Sequence, residues 1–432
     1  MQPIGPVDVA WFAALLVCGV AWFVSARAAA GARSARGAPR SPVPTGARRG
    51  EGVEHPTRVG GLPVLGQVLD PRANGLNALR LVLASSVLLW HSYPLTGRHF
   101  RAGPVTDQLA HLLADGPVDG FFALSGFLIA GSWVRRPELA AFVRSRVLRI
   151  LPAYLVCLTV TAAAVAPLGL LLAGQRVAPL TYLRSAVTYV LSNAGLALFQ
   201  VDIAGTPSAV PYPGAWNGSI WTLQWEVGCY LGVLLLGVLG LLRRPLTSVV
   251  VFVVATGLSV IVALGVLPGV APTELARLTT MFTAGMLLFA LRDRIPVSPL
   301  LVGVAAMAFL ACLWLPSYRV PGALLLAYAI LGLGACLRAP RWHLHDDISY
   351  GVYIYAFPVQ QLLALTALVR APLPIFVLVV ATVTFPLAVA SWFLVEKPLL
   401  RRRHRPGAVV PLEPVGPVDP FTRGRSAGGG GV

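Results

Sequence analysis

Between residues 74 and 395 the chain returns repeatedly to apolar runs of about twenty residues, the length an α-helix needs to cross a ~30 Å hydrocarbon layer. Ten such runs follow one another, at roughly 74–95, 117–134, 148–173, 220–241, 247–267, 275–291, 297–315, 320–337, 348–369 and 373–395, and an eleventh, at about 7–26, opens the chain. Inside hydrocarbon every backbone N–H and C=O must find a partner within the protein, and a helix achieves this within one segment. The pattern therefore predicts an all-α polytopic membrane bundle with ten core transmembrane helices plus one extra N-terminal helix. Residues 180–200 are apolar too, but Arg184, Ser185, Ser192 and Asn193 suit a surface or partly re-entrant element better than a lipid-facing span.

Four regions follow from this reading. Residues 1–26 form the N-terminal transmembrane helix, which lacks the basic leader of a secretory signal and carries Asp8 instead. Residues 27–71 contain the string RAAAGARSARGAPRSPVPTGARRG, an Arg/Gly/Pro-rich cytoplasmic linker expected to be disordered because it has too little apolar surface to bury. Residues 72–400 hold the ten-helix domain, and 401–432 form a basic, Gly-rich cytoplasmic tail.

A formal charge of +17 raises the question of nucleic acid, but the basic residues, all Arg except Lys397, lie between the apolar runs rather than along one helix face. Topology accounts for them, and no nucleic-acid partner is expected. With the linker in the cytoplasm, Arg135, Arg136, Arg144, Arg146, Arg149, Arg243, Arg244, Arg292, Arg294, Arg338, Arg341, Lys397 and Arg401 to Arg405 all fall inside, as the positive-inside rule requires. The bilayer of the plasma (inner) membrane is the expected partner of the apolar surface. Five scattered Cys, without C-x-x-C spacing or a neighbouring pair of His, predict neither a disulfide framework nor a metal site.

Against this background a few polar residues stand out. Arg80 and His91 interrupt the first core run and are eleven residues apart, about three turns plus 20°, so both project from one face. They are separated by about 16 Å along the axis, with Arg80 toward the cytoplasm and His91 toward the outer side. Ionisable groups in spans generally face a protein interior or an aqueous cavity. The alternative is that Arg80 snorkels to the inner interface and His91 sits at the outer one. Glu226 lies about two turns into a span running inward, which predicts a depth matching His91 and a carboxylate able to fix the imidazole tautomer for general base catalysis. A protonated carboxyl bonded to a neighbouring helix is the other reading of Glu226. In PVDGFFALSGFLIAGSWV, Asp119 marks the outer end while Ser125 and Gly126 lie at mid-depth, where small residues also serve close helix packing. The string has no G-x-S-x-G and hence no nucleophile elbow. On the cytoplasmic side Arg146 and Arg149 share a helical face, suiting either a multiply phosphorylated ligand or anionic lipid.

Taken in order, the strings NALRLVLASSVLLWH, VDGFFALSGFLI, RSRVLRILPAY, NGSIWTLQWEVGCY, ISYGVYIYAFPV and VEKPLLRR resemble the integral-membrane acyltransferase-3 family over roughly residues 72–400. The resemblance implies a ten-helix enzyme that takes an acyl group, acetyl foremost, from cytoplasmic acyl-coenzyme A and delivers it to a hydroxyl of an envelope glycan or small molecule on the outer side. It implies His91 as the catalytic histidine, Arg80 as its partner in the Arg-x10-His spacing, Arg146 and Arg149 at the donor, and Glu226 as the carboxylate assisting His91. Asp119, Ser125, Trp221 and Tyr350, which stand in the same strings, become candidates for lining the pore or the acceptor site. Acyl-coenzyme A then acts as co-substrate, with no permanently bound cofactor and no metal. The chain departs from the family pattern at Ala356, where many members carry His before Phe-Pro, and in its extra N-terminal helix. A multi-pass transporter or flippase is the competing class. The ionisable residues cluster in the first half without the paired symmetry of such proteins.

Overall fold

The computed structural model describes residues 58–402 apart from 60, 70–74, 100–102, 316, 338–341 and 343. The expected N-terminal helix 1–26, most of the linker 27–71 and the tail beyond 402 lie outside the described residues, while residues 58–59 and 61–69 of the linker, expected to be disordered, instead form a hairpin and a helical turn at Leu65–Val68. Apart from a hairpin of two residues per strand, β1 (Arg58–Val59) paired antiparallel with β2 (Leu62–Pro63), the domain is helical.

Each of the ten expected runs is a helix. They are α1 (Leu76–Leu95), α2 (Pro104–Arg135), α3 (Leu139–Leu172), α5 (Leu223–Val238), α6 (Pro245–Ala263), α7 (Val270–Ala290), α8 (Pro299–Cys312), α9 (Arg319–Cys336), α10 (Ser349–Ala364) and α11 (Leu373–Ser391). Between α3 and α5 lies α4 (Pro179–Asn193), in the stretch expected to form a surface element. Among the described residues, six helical segments are long and apolar enough to cross a membrane: those containing α2, α3, α5, α6, α9 and α11. The shorter or more polar α1, α7 and α10 bury most of their residues against other helices.

α2 starts thirteen residues earlier than its apolar run because Pro117 falls inside a helix that already began at Pro104. It is the hub of the bundle, two thirds buried over its most apolar stretch, whereas α6 is only 11% buried and faces outward. α2 and α7 meet backbone to backbone. A Cβ on Gly126 would lie 1.8 Å from the Phe282 carbonyl oxygen, and one on Gly285 1.9 Å from that of Ala123. The expected packing role of a small residue in α2 thus belongs to Gly126, which no larger residue can replace without separating the helices.

α1 and α10 run parallel. Arg80 donates to Asp347 just before α10, and toward the other end Gln360 Nε2 donates to the Leu88 carbonyl at 2.6 Å and to Ser92 Oγ at 2.7 Å. Two wide π-helical turns interrupt α3 at Thr161–Val165 and extend α11 through Trp392–Glu396 into Lys397–Arg402. Both end two residues before a proline, Pro167 and Pro398. A proline ring excludes the carbonyl four residues back, and a widened turn accommodates it without breaking the helix.

Candidate active site

α1, α2, α3, α5 and α10 enclose a cavity of about 290 Å³. Its walls grade from charged to apolar. At one end stand Arg80, Arg146, Arg149, Ser349 and Tyr350; midway are Ser125, Glu226 and Tyr230; the far end is closed by Val118, Phe121, Phe122, Thr222 and Tyr353.

The charged end is a cross-braced ion cluster. Asp347 Oδ2 accepts from Arg80 Nη1 at 2.8 Å and from Arg149 Nη2 at 2.6 Å, while Arg149 Nη1 reaches Glu396 at 3.2 Å. Ser349 donates both its backbone N–H and its hydroxyl to Asp347 Oδ1. Burial alone would push the Asp347 carboxyl up, but the Arg149 and Arg80 guanidiniums and the Ser349 bonds hold it below the usual carboxylate range. Beside it, Lys397 and the Trp392 indole N–H both donate to Asp346. Arg149, expected at the donor, thus stands at this end of the cavity already paired with carboxylates. It lies over the Trp392 ring and is held by two carboxylates. Arg146 bonds Ser145 Oγ at 3.1 Å and lies 5.9 Å from the centroids of both Phe142 and Tyr230.

Glu226 Oε1 accepts from the Tyr230 hydroxyl one turn along α5 and, at 3.5 Å, from Ser125 Oγ across the cavity. Tyr350 also lines the wall, its hydroxyl donating to the Ile150 carbonyl at 3.1 Å. The structure thus gathers Arg80, Ser125, Arg146, Arg149, Glu226 and Tyr350 around one space.

Three expected site residues lie elsewhere. His91 is outside the cavity wall, packed edge-on against Phe357 with ring centroids 5.2 Å apart, and its buried Nδ1 has no hydrogen-bond partner among the described residues. Trp221 packs partly buried against the core without lining the cavity. Asp119 is fully buried in a separate cluster, accepting from Arg277 Nε at 2.8 Å, Arg319 Nε at 3.1 Å and the Tyr318 hydroxyl at 3.1 Å. It ties α2 to α7 and α9 and does not line the cavity.

His91 and Glu226 do not share a depth as their places in the sequence suggested. Asn217 and Ser219 bond the backbone of Ile354 and Tyr353, so the segment preceding α5 descends well into the bundle. Glu226 lies seven residues further toward the arginine end. His91, level with Phe357 to Gln360, lies the other way, a separation of about 15 Å along the axis. The same descent buries Trp216, whose indole N–H donates to Thr206 Oγ1 at 3.0 Å, while Tyr212 stays half exposed beside Phe357.

Sequence reasoning passed over Asp347, Glu396, Tyr230 and Tyr353. A signal existed for all four, since Glu396 stands in VEKPLLRR, Tyr230 closes NGSIWTLQWEVGCY, Tyr353 stands in ISYGVYIYAFPV and Asp347 immediately precedes that string.

The profile of a family described as an acyltransferase domain matches residues 73–392. The chain belongs to the acyltransferase-3 family. Among similar proteins, an O-acetyl transferase of Shigella phage Sf6 is 29% identical over 356 residues, covering 77% of this chain and 97% of the relative. Nodulation protein 10 of Rhizobium leguminosarum bv. viciae is 28% identical over 366 residues, covering 76% of this chain and 94% of the relative. No solved structure shows a significant match. This family member is thus an O-acyltransferase, transferring groups other than aminoacyl groups, with the helices of a multi-pass membrane protein.

Proposed function

We propose that the enzyme takes an acyl group, acetyl foremost, from cytoplasmic acyl-coenzyme A and passes it across the plasma membrane to a hydroxyl of a glycan or glycosylated small molecule on the extracytoplasmic side. The observation that carries this reading is the grading of the cavity: guanidiniums at one end, a hydrogen-bonded carboxylate within, and a histidine beyond the apolar end. In this reading Arg146, with the Arg80 and Arg149 pair, holds the donor's phosphates, and positive charge at that end balances theirs. The donor's extended arm then runs along the wall that carries Ser125 and Glu226 and brings the thioester to the apolar end, toward His91. His91, approached by the acceptor from the other end, takes the hydroxyl proton as the oxygen attacks the thioester carbonyl. The carbon–sulfur bond breaks and the thiolate leaves, taking up a proton. Holding both reactants in one conduit supplies orientation worth several kcal/mol. Ring contact with Phe357 and an unbonded Nδ1 leave His91 free of a competing internal bond. Neither the structure nor the relatives offer an observation that favours transport over transfer.

Equilibrium binding of acetyl-coenzyme A to the detergent-purified protein tests the donor. Binding should weaken about tenfold in Arg146→Ala and fall with ionic strength. His91→Ala should retain that binding while acetyl transfer in cells, followed by mass spectrometry of envelope glycans and secreted metabolites, falls by about 10²–10⁴. A wild-type protein that does not bind acetyl-coenzyme A, or a His91→Ala variant that transfers at the wild-type rate, overturns the reading.

A further inference from the structure

The donor cavity and His91 are separated by a built partition rather than by loose packing. Tyr353 stands at the closed end of the cavity, its ring 6.1 Å from that of Phe121 and inclined at 69°. Its hydroxyl is fixed from both sides, donating to the Ser219 carbonyl at 2.6 Å and accepting from Thr222 Oγ1 at 2.6 Å. One turn further along α10, Phe357 fills the space between Tyr353 and His91, so tightly against Gly218 that a Cβ there would lie 2.8 Å from the ring. Gly218, Ser219 and Thr222 belong to one short segment, the descending entry to α5, so a single element latches the tyrosine and backs the phenylalanine.

We propose that Tyr353 is a specificity-determining residue for the transfer, latched by Ser219 and Thr222 so that the thioester meets water only when an acceptor has displaced the latch. An acyl donor at one side of a membrane and a hydroxyl acceptor at the other pose a chemical problem. Water, at vastly higher concentration than any acceptor, attacks an activated acyl group whenever the two compartments connect. Excluding water until the acceptor is in place is a recognised means of favouring transfer over hydrolysis. A tyrosine suits the task because its ring blocks the conduit while its hydroxyl satisfies a buried carbonyl and a buried hydroxyl that would otherwise lack partners. The displaced partners sit on the segment that carries Tyr212 and Trp216, which is continuous with the loop on the His91 side of the bundle. Movement of that loop on acceptor binding therefore pulls directly on the latch.

The inference rests on the donor reading above, and the experiment separates the two. Purified protein in lipid nanodiscs is given acetyl-coenzyme A with no acceptor, and free thiol release is followed. Wild type should release coenzyme A slowly; Tyr353→Phe, which removes both bonds, should raise the rate at least tenfold, and Thr222→Val, which removes one, by less. The leak should vanish in the Tyr353→Phe/His91→Ala double variant. Tyr355→Phe, a buried tyrosine off the cavity wall, should leave the rate unchanged, and thermal unfolding of each variant confirms that it is folded. Acetyl-coenzyme A binding to wild type with no extra leak in either latch variant overturns the role of Tyr353 alone. An equal leak in Tyr355→Phe overturns it too, as a general loosening. Absence of acetyl-coenzyme A binding to wild type overturns the donor reading beneath it.

Discussion

Asp347→Asn isolates the carboxylate that braces the arginine end of the cavity. The substitution keeps the volume and one acceptor oxygen but removes the charge facing two guanidiniums at 2.8 and 2.6 Å. Arg149 retains Glu396 at 3.2 Å, so the loss falls chiefly on Arg80, which meets Asp347 through Nη1 and whose buried Nε has no partner among the described residues. Removing one member of a buried pair costs about 3–5 kcal/mol. Arg80 is 23% exposed and recovers some hydration, which brings the expectation to about 2–4 kcal/mol. Reversible unfolding in mixed micelles of increasing sodium dodecyl sulfate, followed by tryptophan fluorescence, measures it. In an Arg80→Met background the same substitution should cost about 1–2 kcal/mol less, the coupling expected of direct partners. The pH dependence has a fixed sign. Because the folded carboxyl is held below its unfolded value of about 3.9, its contribution is complete above that value and drains away as pH falls through the folded one. The wild type should lose stability over that acidic range, and the variant should lack that part of the slope. A cost under about 0.5 kcal/mol at pH 7, or identical acid profiles, would refute the brace.

Other perturbations probe separate parts of the molecule. Glu226→Gln keeps a group able to accept from Tyr230 but removes the charge, and transfer measured with saturating donor should fall about a hundredfold while folding is retained. Gly126→Leu places carbon where the Phe282 carbonyl stands, which should lower stability by at least about 3 kcal/mol or prevent accumulation of the protein in membranes, as immunoblotting would detect. Asp119→Asn leaves Arg277 and Arg319 short of a buried carboxylate, and should destabilise by about 3 kcal/mol with little change in donor affinity, since Asp119 does not line the cavity.

How much of this was legible beforehand differs by level. Helices were readable because a membrane forces the apolar runs to about one length, and each of the ten runs is a helix. Boundaries were less so, as hydrophobicity alone gives no start for α2 upstream of Pro117, and the helical but half-exposed α4 lacks a clean span. The shared face of Arg80 and His91 was computable from spacing, yet only Arg80 meets the cavity, because packing of Phe357 and the descent of 217–222 is long-range information. Depth was misjudged for Glu226 for the same reason: counting turns from the membrane surface presumes that a helix begins there. Asp347 and Glu396 escaped because paired charges are invisible when their partners are about 200 residues or more distant in sequence.

The widened turn at Trp392–Glu396 sets a constraint of its own. It inserts extra arc into α11 so that Trp392 and Glu396 address Arg149 while Lys397, next in line, swings to Asp346. Point replacements there disturb one contact at a time. Deleting any single residue between 392 and 395 would instead either remove the wide turn, reseating Trp392 and Glu396, or keep it and rotate everything downstream by about 100°. Either outcome would part Arg149 from Glu396 or Asp346 from Trp392 and Lys397, so this stretch should accept changes of letter far more readily than changes of length.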